Sequence, residues 1–191
     1  LISKKYKIFI VNRLAEISSL VFFGLAILTF IILLSYSSLD PSFNNITDQD
    51  AQNVLGITGA TIADLLIQIF GSSSYMLILF FLTWSYRLFV FKKLTYFIIN
   101  LFSSVACLLV IDLIFLVYEV QILHSFISLE FFNNFIKPLS IENNLYLEIV
   151  FTLTISILFL FFFILACALD RKDWNKISFT VWLGIKLIFE I

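Results

Sequence analysis

Asp112 is the side chain with the strongest potential for chemistry, because it is a carboxylic acid within an otherwise apolar run of residues. A charge at the centre of a membrane helix costs roughly 2.5–3.5 kcal/mol on insertion scales, so such an acid is expected to be protonated or hydrogen-bonded and to face other helices. It could carry protons or ions, or it could hold helices together. No Lys or Arg lies inside the apolar runs to pair with Asp112, and this favours the structural role.

The remaining reactive side chains offer little chemistry. Cys107 and Cys167 both lie within apolar runs, where free cysteines behave as small buried hydrophobes. His124 is the single histidine, and no cysteine or carboxylate stands beside it at ligand spacing, so we expect a loop or interfacial residue. The sequence has no phosphate-binding loop, no H-E-x-x-H, no G-x-G-x-x-G, and no serine, histidine and acid arrangement. It therefore predicts no catalytic residue, no cofactor site and no metal site, and we do not expect an enzyme.

The composition is that of a membrane protein. Apolar residues occupy 61% of the 191 positions, and charged residues occupy 13%, about half of the roughly 25% that is usual in soluble domains. A soluble domain of this length could not bury so much apolar surface, whereas lipid solvates it. The net charge of −1 gives no basis for a nucleic-acid partner. The lipid bilayer is therefore the first partner that the sequence predicts.

Four apolar runs are long enough to cross a bilayer. The first, Ile17–Leu39, has no charged residue and would form roughly 34 Å of helix against a hydrocarbon core of about 30 Å. We therefore predict an all-α, polytopic membrane protein with short interfacial helices, organised as a single membrane domain over residues 1–191. Transmembrane helices are expected at about 14–36, 65–88, 96–118 and 148–169, outer loops at about 37–64 and 119–147, and a cytoplasmic tail at 170–191.

Basic residues predict the orientation of these spans. The N-terminal arm, the turn between the second and third spans, and the tail hold eleven Lys and Arg residues, whereas the two outer loops hold only Lys137. Both termini are therefore predicted to be cytoplasmic. Aromatic residues that prefer the membrane–water interface support the same arrangement. They are Tyr36, Tyr75, Tyr118 and Tyr146 at the outer ends, and Trp84, Tyr86, Tyr96 and Trp174 at the inner ends.

Between the first two spans, the residues from Gly56 to Phe70 are predicted to form a helix. Two pairs of small residues, Gly56 with Ala60 and Gly59 with Ala63, would let this helix approach another backbone closely. Packing against the first span is the simpler interpretation, and a contact between protomers stays open.

Three further segments outside the spans have a predicted shape. Gly71 and the three serines that follow it predict a bend before the second span crosses. The apolar second outer loop, around residues 124–144, and the tail at residues 174–191 are both expected to be interfacial helices.

The first outer loop and the start of the second span carry a specific pattern. It comprises D-P-S from Asp40, N-x-x-G-x-x-G-A-x-x-A-D-x-L from Asn53, and F-G-x-x-x-Y ending at Tyr75. This block, together with the four spans, resembles the N-terminal four-helix transmembrane domain of the FtsK/SpoIIIE family of DNA translocases. The candidate motif or interaction residues are Asp40, Pro41, Ser42, Asn53, Gly56, Gly59, Ala60, Ala63, Asp64, Phe70, Gly71, Tyr75 and Asp112.

The resemblance implies a membrane anchor and septum-targeting domain of a translocase that couples cell division to chromosome segregation. It implies a multi-pass protein of the bacterial inner membrane at the division septum, self-association as a hexamer, and contacts with other division membrane proteins. DNA would be a partner only through a motor domain, which this sequence lacks. The motor would follow Ile191 or be encoded separately, and a first residue other than Met favours a fragment.

Two other classes of protein stay open. A small transporter or ion-conducting bundle would use Asp112, although transporters usually show internal repeats and interrupted spans, which this sequence lacks. The other class is a purely structural subunit of a membrane assembly, which the sequence does not separate from the anchor.

Overall fold

The computed structural model describes residues 4–120, 122–139, 145–170 and 173–175, and these residues form helices, turns and loops without a strand. The α-helices of this part of the chain are α1 (Lys4–Leu34), α2 (Gly56–Phe70), α3 (Met76–Phe91), α4 (Phe97–Val117), α5 (Phe126–Phe131) and α6 (Leu145–Ala166). A 3₁₀ turn, Gly71–Tyr75, joins α2 to α3. A π-helical turn, Phe132–Ile136, and a 3₁₀ turn, Lys137–Leu139, follow α5.

Four helical segments are long and apolar enough to cross a membrane. They are Lys4–Leu34, Gly56–Phe91, Phe97–Val117 and Tyr146–Ala166. At least two thirds of the most apolar stretch of each segment faces outward, as suits helices whose solvent is lipid rather than water. The prediction of an all-α protein with four spans is confirmed.

Helices α1 and α3 form an antiparallel pair. Ser19 and Ser85 exchange hydrogen bonds at one end of the pair, because each hydroxyl donates to the other residue's carbonyl oxygen at 2.9 Å. At the other end, the hydroxyl of Tyr75 donates to the carbonyl oxygen of Leu33 at 2.7 Å. Small side chains and paired hydroxyls of this kind let helices approach closely inside a bilayer.

The main apolar core lies where α3, α4 and the end of α6 meet. Its buried residues are Phe80, Trp84, Cys107, Leu108, Ala166 and Cys167. The indole nitrogen of Trp84 donates to the carbonyl oxygen of Ala166 at 2.6 Å, which satisfies both a buried donor and a terminal carbonyl of α6. Trp84 is only 2% exposed, so the assignment of this residue to an interfacial belt was wrong.

The bundle has two chemically different ends. We call the end that carries residues 35–56 the loop end, and the opposite end, which carries Lys4 and Asp170, the terminal end. Helix α2 lies across the loop end, because its residues Ala63 and Ile67 pack against Ile32 and Leu33 in the last turn of α1. Tyr75, at the end of the 3₁₀ turn that follows α2, bonds to the same turn of α1. The predicted helix from Gly56 to Phe70 is confirmed, as is the bend that follows it.

Two features differ in position from the sequence-based account. Helix α3 continues to Phe91, so Arg87 lies inside a helix and not in the turn, where its charge had been counted. Helix α2 occupies residues that had been assigned mostly to the first outer loop. The expected tail helix at residues 174–191 falls almost entirely outside the described residues.

Candidate functional site

The C-terminal turn of α1 is capped by side chains from the segment that follows it. The last carbonyl groups of a helix have no partner within the helix, so they need donors from elsewhere. The side-chain amide nitrogen of Asn53, Nδ2, donates to the carbonyl oxygens of Ile32 at 2.8 Å and Ser35 at 3.2 Å. Tyr75 adds a third donor to Leu33. Two residues of the sequence pattern therefore fasten α2 and the bend to α1.

Asp40 holds the backbone that positions Asn53. Its carboxylate accepts hydrogen bonds from the backbone nitrogens of Gln52 at 2.9 Å and Asn53 at 3.0 Å, and the residue is only 4% exposed. A buried carboxylate costs free energy unless donors satisfy it, and here two backbone N–H groups do so. The side chain of Asn45 also donates to the carbonyl oxygen of Asp40 at 3.1 Å. The loop is thus closed on itself before it reaches α2.

Gly59 provides the space that the side chain of Asn53 occupies. A Cβ atom at this position would collide with the Oδ1 atom of Asn53 and would lie 2.7 Å from the Cβ atom of Leu55. The small residues of α2 therefore serve two purposes. Ala63 is fully buried against Ile32 and its neighbours, as the packing interpretation expects. Gly59 instead leaves room for the side chain of Asn53, which caps α1, and not for another helix.

Asp112 is fully buried and makes hydrogen bonds to the segment between α4 and α5. Its Oδ2 atom accepts from the backbone nitrogen of Ser125 at 2.8 Å, and its Oδ1 atom lies 3.1 Å from Nδ1 of His124. Gly71 lies against this cluster, because a Cβ atom there would come within 2.9 Å of Asp112, Leu123 and Ser125. The expectation that Asp112 is hydrogen-bonded inside the protein is confirmed, and its partner is the histidine that had been treated as isolated.

His124 joins Asp112 to the backbone of the same segment. Its Nδ1 atom faces the carboxyl group of Asp112, and its Nε2 atom lies 3.1 Å from the carbonyl oxygen of Val120. Both ring nitrogens of the histidine therefore have polar partners in this cluster.

A buried ion pair lies at the terminal end. Arg87 is 1% exposed, and its Nη1 atom contacts Oδ2 of Asp173 at 2.8 Å and Oδ2 of Asp170 at 2.9 Å. Its guanidinium also stacks over the ring of Phe91 at 4.8 Å. The hydrogen bond from Arg87 lowers the pKa of Asp170, so this carboxylate is ionised at neutral pH. The contacts tie the segment after α6 to α3.

These arrangements join segments of the chain, and none resembles a catalytic constellation. The described residues contain no group of three His, Cys, Asp or Glu side chains that could hold a metal ion. Each of these three clusters links a loop segment to a helix: Asn53 to the end of α1, the segment before α5 to Asp112 in α4, and the segment after α6 to Arg87 in α3.

Comparison with known proteins gives the family. Residues 11–130 match the family model of the 4TM region of DNA translocase FtsK/SpoIIIE. The chain belongs to this family. The DNA translocase FtsK of Rickettsia bellii is 30% identical over 190 residues, which cover 96% of this chain and 23% of that protein. The FtsK protein of Rickettsia prowazekii is 44% identical over 61 residues, which cover 32% of this chain and 8% of that protein. The FtsK protein of Azospirillum brasilense is 34% identical over 99 residues, which cover 51% of this chain and 15% of that protein.

The FtsK resemblance concerns the membrane domain of longer proteins. The chain spans less than a quarter of the length of these curated relatives. No solved structure matches it.

The structure brings most of the FtsK-like pattern residues together in two places. Those around the end of α1 are Asp40, Asn53, Gly59, Ala63 and Tyr75, and those beside the loop-end part of α4 are Gly71 and Asp112. Ala60 is buried within α2, and Phe70 packs against the main apolar core. Pro41 and Ser42 lie apart in a loop turn, where the hydroxyl of Ser42 accepts from the backbone nitrogen of Asn45 at 3.2 Å. Gly56 begins α2 at a φ of 62° with open space around it.

Asp64 lies at the edge of the first cluster, beside Tyr36, which packs against the apolar residues at the end of α1. Its carboxylate accepts a hydrogen bond from the side chain of Gln68 at 2.6 Å, one turn later in α2. Partial burial, and then the neighbouring charge of Asp64, raise the pKa of Tyr36, so this phenol stays protonated at neutral pH.

The residues that sequence reasoning missed are the long-range partners. They are His124 and Ser125 beside Asp112, and Arg87, Asp170 and Asp173 at the terminal end. A signal did exist for the second set, since the second and fourth spans cross the membrane in the same direction. An arginine near the end of one and two acids just after the other therefore lie at the same end of the bundle. No comparable signal in the sequence connects residue 112 to residue 124.

Proposed function

We propose that this chain is the membrane domain that anchors an FtsK-type DNA translocase in the bacterial inner membrane and targets it to the division septum. In this role it couples cell division to chromosome segregation without being an enzyme itself. DNA is reached only through a motor domain of the longer protein. The observation that supports the proposal most strongly is the family match over residues 11–130, which covers the first three spans and both connecting loops.

The proposal includes a topology in which the terminal end is cytoplasmic and the loop end is periplasmic. The distribution of Lys and Arg supports it. Single cysteines introduced at Asn45 and at Lys93, in a background with Cys107 and Cys167 replaced by alanine, provide the test. An impermeant thiol reagent added to intact spheroplasts should label the first position and spare the second. Labelling of Lys93 alone would reverse the topology.

Self-association as a hexamer and contacts with other division membrane proteins are part of the same proposal. The tip of the loop between α1 and α2 offers a contact surface, because Phe43 and Ile46 are 79% and 98% exposed. Apolar side chains exposed to this degree on an aqueous loop favour a protein partner. The turn built by Ser42 and Asn45 holds the tip in place.

A fluorescent fusion tests the septal function. The chain should gather at midcell in dividing cells, and a Phe43→Ser/Ile46→Ser variant should insert normally but gather there less. Gln49→Ala is the matched control, because this exposed residue lies in the same loop and contributes only its backbone nitrogen to a hydrogen bond. Uniform membrane fluorescence of the native fusion would contradict the septal assignment, and equal midcell signals for both variants would contradict the contact surface.

A further inference from the structure

The chain folds into a closed turn directly after α6. Ala168 has a φ of 54°, in the left-handed region, and this conformation ends the helix. The backbone carbonyl oxygen of Asp170 then accepts hydrogen bonds from the backbone nitrogens of Asp173 at 2.9 Å and Trp174 at 3.1 Å. The carboxylate of Asp173 accepts from the backbone nitrogen of Asp170 at 3.1 Å. These bonds hold Asp170, Asp173 and Trp174 together, and we call these three residues the exit turn.

Helix α3 fastens the exit turn to the bundle. Trp84 and Arg87 lie three positions apart in α3, so their side chains share one face of that helix. The indole of Trp84 donates to the carbonyl oxygen of Ala166 in the last turn of α6. The guanidinium of Arg87 contacts the carboxylates of Asp173 at 2.8 Å and Asp170 at 2.9 Å. One face of α3 therefore binds both the end of α6 and the turn that follows it.

The contact between Arg87 and Asp173 is shielded from water, since their side chains are only 1% and 9% exposed. Separating such a pair is costly, because each partner would leave an uncompensated charge behind. Trp174 adds apolar packing, since its ring lies 6.1 Å from that of Phe163 and contacts the main apolar core. The exit turn is thus held by a buried ion pair and by a packed ring.

Helix α6 alone would be a weak attachment for the chain beyond the exit turn. Only 11% of its most apolar stretch is buried, so few protein contacts hold it in place. Helix α3, in contrast, is bonded to α1 through Ser19 and Ser85, and the 3₁₀ turn joins it to α2. A pull that arrives from beyond position 174 meets Asp173 before it reaches α6. Such a pull therefore loads Arg87 and the pair of α1 and α3 first.

We propose that the ion pair of Arg87 with Asp173 and the packed ring of Trp174 form a load-bearing clasp, which transfers a pull on the following chain to α1 and α3 and spares α6. The clasp deepens the anchoring function proposed above, and its role in the cell rests on that function. A contact that only stabilises the fold would resist a pull from any point of the chain. The clasp resists a pull that enters through the exit turn.

The test measures how long the exit turn withstands a constant pull. The whole chain is inserted in a supported bilayer, and magnetic tweezers pull on a DNA handle attached through Asn175→Cys, in a background with Cys107 and Cys167 replaced by alanine. This attachment leaves residues 176–191 out of the load path. Release of residues 167–175 should lengthen the tether by roughly 30 Å at full extension, before α6 is extracted.

Asp173→Asn should shorten the lifetime before this step by roughly 100-fold, the rate factor that corresponds to breaking a buried ion pair. Asp170→Asn is the matched control, because it changes a carboxylate that contacts the same Arg87 atom at an exposed position. Water screens that pair, so the lifetime should fall much less. A second handle at Lys5→Cys, near the start of α1, tests the direction of the pull. There Asp173→Asn should keep the native lifetime before α1 is extracted to within about twofold.

Two results would overturn the clasp. If Asp173→Asn keeps the native lifetime to within about twofold under the pull at position 175, the ion pair bears no load. If it shortens the lifetime equally under the pull at position 5, the ion pair is a general stabiliser. Far-UV circular dichroism establishes that each variant is folded, and Trp174→Ala, which should shorten the first lifetime at least roughly tenfold, replaces Asp173→Asn if that variant is not folded. None of these outcomes depends on septal localisation or on a motor domain, so they are distinct from a failure of the proposed function.

Discussion

Replacing Gly59 by alanine should destabilise the protein, although the same replacement stabilises most helices. The new Cβ atom would collide with the side chain of Asn53, which would have to leave its place. Its hydrogen bonds to the carbonyl oxygens of Ile32 and Ser35 would then be lost. Each lost hydrogen bond costs about 0.5–1.5 kcal/mol, and more where a buried group stays unpaired. The higher helix propensity of alanine returns up to about 1 kcal/mol, so we expect a net loss of about 1–3 kcal/mol.

Gly24 is the matched control for this substitution. It also lies inside a helix, and a Cβ atom there would have no heavy atom within 4 Å. Gly24→Ala should therefore be neutral or stabilising by up to about 1 kcal/mol. The measurement is the free energy of unfolding of the purified chain in mixed micelles, followed by far-UV circular dichroism during titration with a denaturing detergent. Equal effects of the two alanine substitutions would show that Gly59 is not needed for the cap.

A double-mutant cycle identifies the cause of the effect. If Gly59 matters because it admits the side chain of Asn53, then Gly59→Ala should cost much less in an Asn53→Ala background. The remaining cost would come from Leu55, whose Cβ atom would lie 2.7 Å from the new methyl group. Coupling energies for residues in direct contact are about 0.5–3 kcal/mol. Strictly additive effects would refute the reasoning, even if each single variant were destabilised.

Two further substitution pairs test the other polar clusters. Asp112→Asn should cost less than about 1 kcal/mol, because the new side-chain amide can accept from the backbone nitrogen of Ser125 and donate to His124. Asp112→Leu should cost about 2–5 kcal/mol, because it leaves both partners unpaired. Proton flux into liposomes that the native chain supports and the Asn variant lacks would instead favour an ion-conducting bundle. Asp173→Asn should cost about 3 kcal/mol and Asp170→Asn much less, although both acids contact the same Arg87 atom. The side chain of Asp173 is 9% exposed, whereas that of Asp170 is 60% exposed and its ion pair is screened by water. Since the folded pKa of Asp170 is lowered, its small contribution to stability should be present at neutral pH and be lost as the pH falls through that lowered pKa. The measurement is the unfolding of both variants across acidic pH. An unchanged pH dependence in Asp170→Asn would contradict the pKa argument, and an unchanged stability of Asp173→Asn would contradict the role of the buried ion pair.

The features that the sequence predicted well are those with a local physical cause. The spans follow from apolar runs without charges, because few other structures satisfy the backbone in lipid. The helix from Gly56 to Phe70 and the bend at Gly71 follow from composition and from the φ of 63° that glycine tolerates. Each of these depends on residues that lie within a few positions of one another.

The features that the sequence did not predict depend on contacts across the bundle. Arg87 and Asp173 are 86 positions apart, and only the parallel arrangement of α3 and α6, whose C-terminal ends meet, brings them together. Asn53 was singled out as a pattern residue, but its partners are backbone carbonyl groups, which have no signature in a sequence. The same holds for Asp112, whose shortest hydrogen bond is from the backbone nitrogen of Ser125.

The residues that identify the family and the residues that could meet a partner are different sets. Asp40, Asn53 and Gly59 are buried or sterically confined, and their hydrogen bonds close the loop end upon itself. They therefore specify the shape of the loop end of this chain. In the function proposed above, recognition depends instead on exposed residues such as Ile46, which takes no part in that hydrogen-bond network. The pattern would then determine the fold of the loop end, and residues outside the pattern would determine the partner.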